Sequence, residues 1–212
     1  MSFTIDIFNQ QGKKTKTIDL DTSVFASENI NNDLMYQFVR LQQANSRIAI
    51  ASTKNRGEGN GSGKKLYKQK GNAAGRVGDK KSPLRKKGGI ARGPRSNRNF
   101  SLSMPKKMRK ASLRSALSFK ASQEGLVALD SFDVSKISTK SALSTLKNIQ
   151  LDRSVLVVVH DSIETIKSYR NLPFVDVVDA LYVSVFDVLK AKKVLFVGEA
   201  LDKIVEYNKK KA

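Results

Sequence analysis

Cysteine and tryptophan are absent from this 212-residue chain, and histidine occurs once. Without Cys there can be no disulfide and no thiolate metal ligand. One His with no Cys cannot assemble a common zinc site, which needs three or four protein donors. No run of 18 apolar residues exists, so no transmembrane helix is expected. The N-terminal stretch MSFTIDIFNQQGKK carries Asp6 inside its first apolar segment and lacks a long apolar core. It is expected to be structure and not a signal peptide. A soluble intracellular protein is the expectation that follows. Hydrophobic residues make up 40% of the chain, a little below the globular norm, and the shortfall is local.

Acidic residues are the scarcest where basic ones are the most abundant. Between Arg47 and Lys110 there are twelve Lys and eight Arg against only Glu58 and Asp79, a net +18 out of the chain's +20. Ten of the thirteen glycines lie there too. The chain is thus nearly neutral except for one intensely cationic segment, whose natural partner is a polyanion.

Periodicity organises the rest. Residues 3–8 and 15–20 alternate apolar and polar around Gln11-Gly12, which predicts a hairpin. From Asn32, the positions Leu34, Met35, Phe38, Val39 and Leu41 predict a one-faced helix reaching about Ile50. Order then gives way from Ser52 to Met104 to Gly, Lys, Arg, Asn and Ser with Pro83 and Pro94. That stretch is either a disordered basic linker or, since linkers of such length inside a domain are uncommon, a functional loop. A helix is predicted to resume at Pro105, with Ser103 as cap and Met108, Ala111, Leu113, Ala116, Leu117 and Phe119 facing inward. Its start carries Lys106, Lys107, Arg109, Lys110 and Arg114. Cations there oppose the helix dipole, which implies an anion within their reach.

The C-terminal half alternates strand and helix. Strands are predicted at 126–129, 155–159, 174–178 and 193–197, and helices at 138–148, 162–169, 183–189 and 199–207. The run Val155–Val159 is apolar on both faces, as a central parallel strand is. The expected fold is α/β: a layered domain with a mostly parallel sheet flanked by helices, interrupted by a long extended basic loop. Residues 1–51 and 105–212 are expected to form the single globular domain, and residues 52–104 the loop.

Enzymatic motifs fail on inspection. Reading back from Gly63-Lys64, a phosphate loop would need Gly where Glu58 stands and Ser or Thr where Lys65 stands. The glycines alternate one-on, one-off and do not follow a strand, so GxGxxG fails as well. His160 beside Asp161 could be a general base, but a strand-terminal His with a local hydrogen bond explains it. Asp176 and Asp179 sit near a strand end, where α/β active sites often lie, and surface carboxylates explain them equally. Within the basic segment the chemistry is clearer. Glycine lets backbone approach phosphate, Arg forks across two oxygens, and Tyr67 can stack on an unpaired base.

In this order the residues resemble the bacterial form of the large-subunit ribosomal protein four family. The likeness runs through Ser52-Thr53-Lys54-Asn55-Arg56-Gly57-Glu58, Gly61-Ser62-Gly63-Lys64-Lys65 and Tyr67-Lys68-Gln69-Lys70-Gly71. It continues in Ser82-Pro83, Gly88-Gly89 and Gly93-Pro94-Arg95. It is strongest at Pro105-Lys106-Lys107-Met108-Arg109-Lys110 with Leu113-Arg114-Ser115-Ala116-Leu117-Ser118, and it covers nearly the whole chain. Two departures stand out. The family usually has Pro-Trp where Leu66-Tyr67 stand, and a Gly-Thr-Gly-Arg-Ala-Arg run where Gly71–Arg76 stand, so one Arg is missing.

The resemblance implies a non-enzymatic constituent of the large subunit of the cytoplasmic ribosome, with no cofactor, membrane or small-molecule substrate. It implies a globular domain outside and a loop threading ribosomal RNA. Its tip, at Lys68, Gln69, Lys70, Gly71 and Arg76, would line the nascent-peptide exit tunnel opposite the hairpin of large-subunit protein twenty-two. The RNA-binding set it implies is Lys54, Arg56, Lys64, Lys65, Tyr67, Lys68, Gln69, Lys70, Arg76, Lys81, Arg85, Lys86, Lys87, Arg92, Arg95, Arg98, Lys106, Lys107, Arg109, Lys110 and Arg114. About 25 residues per arm at about 3.3 Å each reach at most about 80 Å. Two other readings stay open: a regulator that binds its own operon's messenger RNA, as some family members do, and an α/β enzyme with a basic lid.

Overall fold

Both opening strand signals form strands, β1 (Thr4–Phe8) and β2 (Lys14–Asp19), paired antiparallel. The computed structural model describes residues 3–25, 30–132 and 137–209. The hairpin turn is organised by Asn9, whose side-chain oxygen accepts from the backbone N–H of Gln11 at 3.1 Å and of Lys13 at 2.9 Å. Gly12 sits at φ +78°, and a Cβ there would lie 2.4 Å from the carbonyl oxygen of Asn148. Both the left-handed conformation and the close approach require glycine at that position.

The chain divides into two compact units, residues 1–43 with 103–212, and residues 44–102. The first is the α/β unit. After the short helix α1 (Thr22–Phe25) come α2 (Asn32–Ser46), α3 (Lys106–Ser122), β3 (Leu126–Leu129), α4 (Thr139–Asn148), β4 (Val155–Val159) and α5 (Ile163–Tyr169). Then follow β5 (Val175–Asp179), a 3-10 turn (Ala180–Tyr182), α6 (Val185–Lys190), β6 (Lys193–Val197) and α7 (Ala200–Lys209). The six strands lie in the order β2-β1-β3-β6-β4-β5. Every pair except β1–β2 is parallel.

Strand periodicity splits the core into two layers. Leu156 and Val158 of β4, with Val194 and Phe196 of β6, face α3, α6 and α7 through Leu117, Val188 and Ile204. Val155, Val157 and Val159, with Leu195 and Val197, face α4 and α5 through Leu146 and Tyr169. All five residues of β4 are buried. A run apolar on both faces therefore became the strand covered on both faces, with β6 and β5 as its neighbours.

Three expectations are corrected. α2 stops at Ser46, short of Ile50. Ile48 and Ile50 are exposed and have no face to bury, while Arg47 turns aside to lie 4.1 Å over the Phe100 ring. Ser103 does not cap α3: Pro105 takes the N-cap position with no side-chain cap bond, because the helix begins two residues later than a Ser103 cap would need. The buried face of α3 also differs. Met108 and Ala111 are exposed, and Ser112, Ser115 and Ser118 are buried instead. Their hydroxyls need no external partner when they donate back to the chain, as Ser112 does to the Arg109 carbonyl at 2.8 Å. Periodicity scores such a serine as polar, although in a helix it packs as a small residue.

One carboxylate ties the ends of the unit together. Asp21, at the start of α1, accepts from Lys209 of α7 and from the Ser23 hydroxyl and backbone N–H. The Lys209 ammonium, then the Ser23 donors, hold its carboxyl down to about 2 from the usual 3.8. A depressed folded-state pKa stabilises the fold above the unfolded value, and that stability is lost as pH falls from near 4 through about 2. Asp21→Asn is therefore expected to flatten the acid limb of the stability–pH curve in that window. Urea melts at pH 2, 3, 4 and 7 check it: the variant should be less stable than the parent at pH 7 and close to it at pH 2.

Candidate nucleic-acid interface

Residues 44–102 form a unit without a core: none of its residues is buried. Leu84, 96% exposed, shows how little apolar surface is covered. Nine Lys and seven Arg against Glu58 and Asp79 give this unit a net +14. Backbone hydrogen bonds and glycines hold it together in place of apolar burial.

The root is closed by Asn45, whose side chain donates to the Leu102 carbonyl at 3.2 Å and accepts from the Leu102 N–H at 2.7 Å. The guanidinium groups of Arg47 and Arg98 both lie over the Phe100 ring, at 4.1 and 4.9 Å. Further out, the outbound and returning segments pair in a nested series. The Thr53 N–H donates to the Pro94 carbonyl, Ile90 to Lys54 and Leu66 to Gly78, each at 3.0–3.1 Å. Lys65 and Asp79 form an antiparallel bridge. The Tyr67 hydroxyl donates to the Gly75 carbonyl at 2.6 Å and closes the tip. Residues 68–74 therefore lie beyond the last cross-connection and Arg76 just inside it, all exposed.

The two acids serve this shape. Glu58 accepts from Arg95, 37 residues away, at 2.6 Å and from the Asn55 N–H at 2.9 Å. Arg95 and the Asn55 N–H hold its carboxyl below the usual range. Asp79 accepts from the Lys81 N–H at 3.0 Å, shaping the turn that begins the return. Three glycines permit close approach: a Cβ on Gly88 would lie 1.9 Å from the Ser82 carbonyl oxygen, one on Gly89 2.2 Å from the Arg56 nitrogen, and one on Gly93 2.0 Å from the Thr53 hydroxyl.

This pairing gathers charge. Lys54, Lys80, Lys81 and Lys87 line one cavity of about 370 Å³ with Asn60 and glycine backbone. Three of these lysines belong to the set the sequence singled out. Lys80 does not, although its neighbour Lys81 and the Asp79 turn signal it. Arg47 was also passed over, because it stands in what read as helix. Elsewhere the set is spread along exposed backbone, from Lys64 and Lys65 to Lys86 and Arg92.

In the α/β unit, Lys106, Lys107 and Arg109 of α3 are exposed. Two other cations of that helix have partners within the chain. Lys110 donates to the Tyr207 carbonyl at 3.0 Å and Arg114 to the Asn208 carbonyl at 2.6 Å. They supply donors to the last turn of α7, where a cation meets the favourable end of the helix dipole.

The reactive-group candidates do not converge on a reaction centre. His160 follows β4, with Nε2 3.7 Å from Asp161 and Nδ1 4.0 Å from Asp179. One ligand atom from each of these three lies within 4.8 Å of the others. Asp176 pairs with Lys190 at 2.7 Å.

A covered α/β unit is joined to a coreless cationic one, whose exposed charge suits a polyanion. A family model described as the ribosomal protein L4/L1 family matches residues 18–207. The chain is 37% identical over 203 residues to large ribosomal subunit protein uL4 of Symbiobacterium thermophilum, covering 95% of this chain and 97% of that protein. It is 37% identical over 202 residues to uL4 of Staphylococcus carnosus, covering 95% and 97%. It is 35% identical over 203 residues to uL4 of Clostridium beijerinckii, covering 96% and 98%. The chain belongs to the ribosomal protein L4/L1 family. It is accordingly a structural protein of the large subunit of the cytoplasmic ribosome and not an enzyme.

Proposed function

We propose that residues 52–104 thread into large-subunit ribosomal RNA while residues 1–51 and 105–212 act as one anchoring domain. The tip residues Lys68, Gln69, Lys70, Gly71 and Arg76 then line the nascent-peptide exit tunnel, opposite the hairpin of large-subunit protein twenty-two. The rest of the basic set binds phosphate along the way.

The observation that carries this reading is that the unit of residues 44–102, which supplies nearly all of that segment, combines +14 charge with no buried residue. Folding such a segment costs conformational entropy with no apolar burial to offset it. Its like charges also repel one another at close range. Both costs are offset when phosphates surround it, because neutralised Lys and Arg release counterions from the nucleic acid. Arg and Lys on exposed backbone, with glycine where chains approach, suit a partner of dense, regularly spaced charge.

Sedimentation tests it. The full chain is expected to co-sediment with large ribosomal subunits and to stay on them through a wash at roughly 1 M salt, where the Debye length falls to about 3 Å. A peripheral electrostatic ligand leaves under those conditions; a threaded arm is held topologically. Release of the protein in the wash would refute the threading.

A further inference from the structure

A second site lies in the α/β unit. Leu181 and Tyr182 of the 3-10 turn, Tyr207 of α7, and Arg109 and Lys110 of α3 border a groove of about 250 Å³ floored by Phe38, Leu113 and Val185. Tyr182 is 80% exposed, Tyr207 47% and Leu181 45%. Large apolar side chains left open together mark a contact surface. None of the residues lining the groove is acidic.

The two cations on its rim are held in place. Lys110 donates to the Tyr207 carbonyl at 3.0 Å and sits 5.1 Å over that residue's own ring. The Arg109 Nε donates to the Met104 carbonyl at 2.9 Å, which fixes the guanidinium plane of this exposed residue. The groove thus presents flat rings on an apolar floor beside fixed cations, the pairing that takes a base by stacking and its phosphate by charge. Its volume is too small to seat a helix, whose diameter is about 10–12 Å, but admits a single flat ring.

We infer that this groove, with Tyr182 as the stacking platform and Arg109 as the phosphate ligand, receives one unpaired nucleotide of RNA. This rests on the RNA reading of the protein but uses none of the arm. It gives the α/β unit a contact of its own, one that reads RNA shape through an unstacked base and not through charge alone.

The absence of Cys makes the test clean, since a single introduced thiol is the only one. Two full-length variants, Tyr182→Cys and Leu84→Cys in the arm, are labelled with benzophenone maleimide. Each is then irradiated with a large-subunit ribosomal RNA transcript. Both are expected to give RNA adducts, the first mapping to an unpaired nucleotide. An adduct from position 84 with none from position 182 overturns this inference and leaves the arm's reading standing; no adduct from either overturns both. In assembled subunits, a protein adduct at 182 in place of RNA overturns it too.

Unlabelled Tyr182→Ala is expected to weaken binding of the transcript by roughly 5- to 150-fold, the range of one base–aromatic stack. Tyr182→Phe should restore it, since the ring and not the hydroxyl carries the contact. Equal affinity for Tyr182→Ala and the parent would also overturn the inference.

Discussion

Excision of residues 54–93, with Thr53 joined to Pro94 through a short Gly-Ser linker, is expected to leave the α/β unit folded while removing most of the RNA affinity. The join falls where the chain already meets itself: the Thr53 N–H donates to the Pro94 carbonyl at 3.1 Å. The excised segment includes no buried residue, so neither layer of the sheet's core loses a side chain. It does remove nine Lys and four Arg with Glu58 and Asp79, a net +11. If six of those cations bind phosphate, the slope of log affinity against log salt should fall by about 5, at about 0.9 per contact. Affinity at about 50 mM salt should drop by a factor on the order of 10³ or more. Thermal unfolding by circular dichroism and filter binding across a salt series measure the two halves separately. An excised protein that unfolds like the parent yet keeps its affinity and its salt slope would rule out the arm as the principal RNA-binding element.

The sheet was legible because it obeys simple rules. β6 falls on the expected residues 193–197, and β3 and β4 likewise, since short apolar runs between turn signals have few competing solutions. β5 lies one residue later than expected, at 175–179, and the helix expected over 183–189 begins instead at Val185, behind the Ser184 cap, with a separate 3-10 turn before it at Ala180–Tyr182. Such one- or two-residue shifts are decided by cap bonds, here the Asp187 N–H donating to the Ser184 hydroxyl at 3.3 Å, which periodicity does not see. The face of α3 was misread for a different reason. Its inner side sets three serines beside Ala116 and Leu117, and a polarity pattern cannot tell a serine whose hydroxyl bonds a carbonyl of the chain, as Ser112 and Ser118 do, from one that faces water.

The arm was legible as charge and illegible as structure. Its composition matches a disordered linker, because its shape rests on backbone pairs such as Ile90 to Lys54 and on bonds of long sequence separation such as Glu58 to Arg95. None of these leaves a periodic trace. The same blindness explains why all the cations of α3 were grouped together. Lys110 and Arg114 look like Lys106 and Lys107 in sequence, and only the fold shows that the last turn of α7 takes donors from the first two. The Tyr182 groove is also beyond sequence reasoning, since it draws on five elements separated by up to 169 positions, from Phe38 to Tyr207.

Gly89→Ala is expected to spring the arm's pairing and to cost RNA affinity without touching the α/β unit. The added methyl would lie 2.2 Å from the Arg56 nitrogen and 2.5 Å from the Asn55 carbonyl carbon. Backbone cannot yield to that as a flexible side-chain end could, so the two segments must part. The neighbouring Ile90 N–H donates to the Lys54 carbonyl at 3.0 Å, and its amide exchange should accelerate at least about 10-fold. If the paired arm then falls to about 1–10% of the population, RNA affinity drops about 10- to 100-fold in proportion. Gly57 and Gly63 supply the contrast. A Cβ at either meets nothing within 4 Å, so Gly57→Ala and Gly63→Ala should leave the Ile90 amide as protected as in the parent. Any affinity they lose must then come from crowding the RNA itself, at a backbone site where phosphate approaches. The two kinds of glycine thus separate the arm's own architecture from its contact surface. Full protection of Ile90 with unchanged binding in Gly89→Ala would show that the paired arm is not the form that RNA selects.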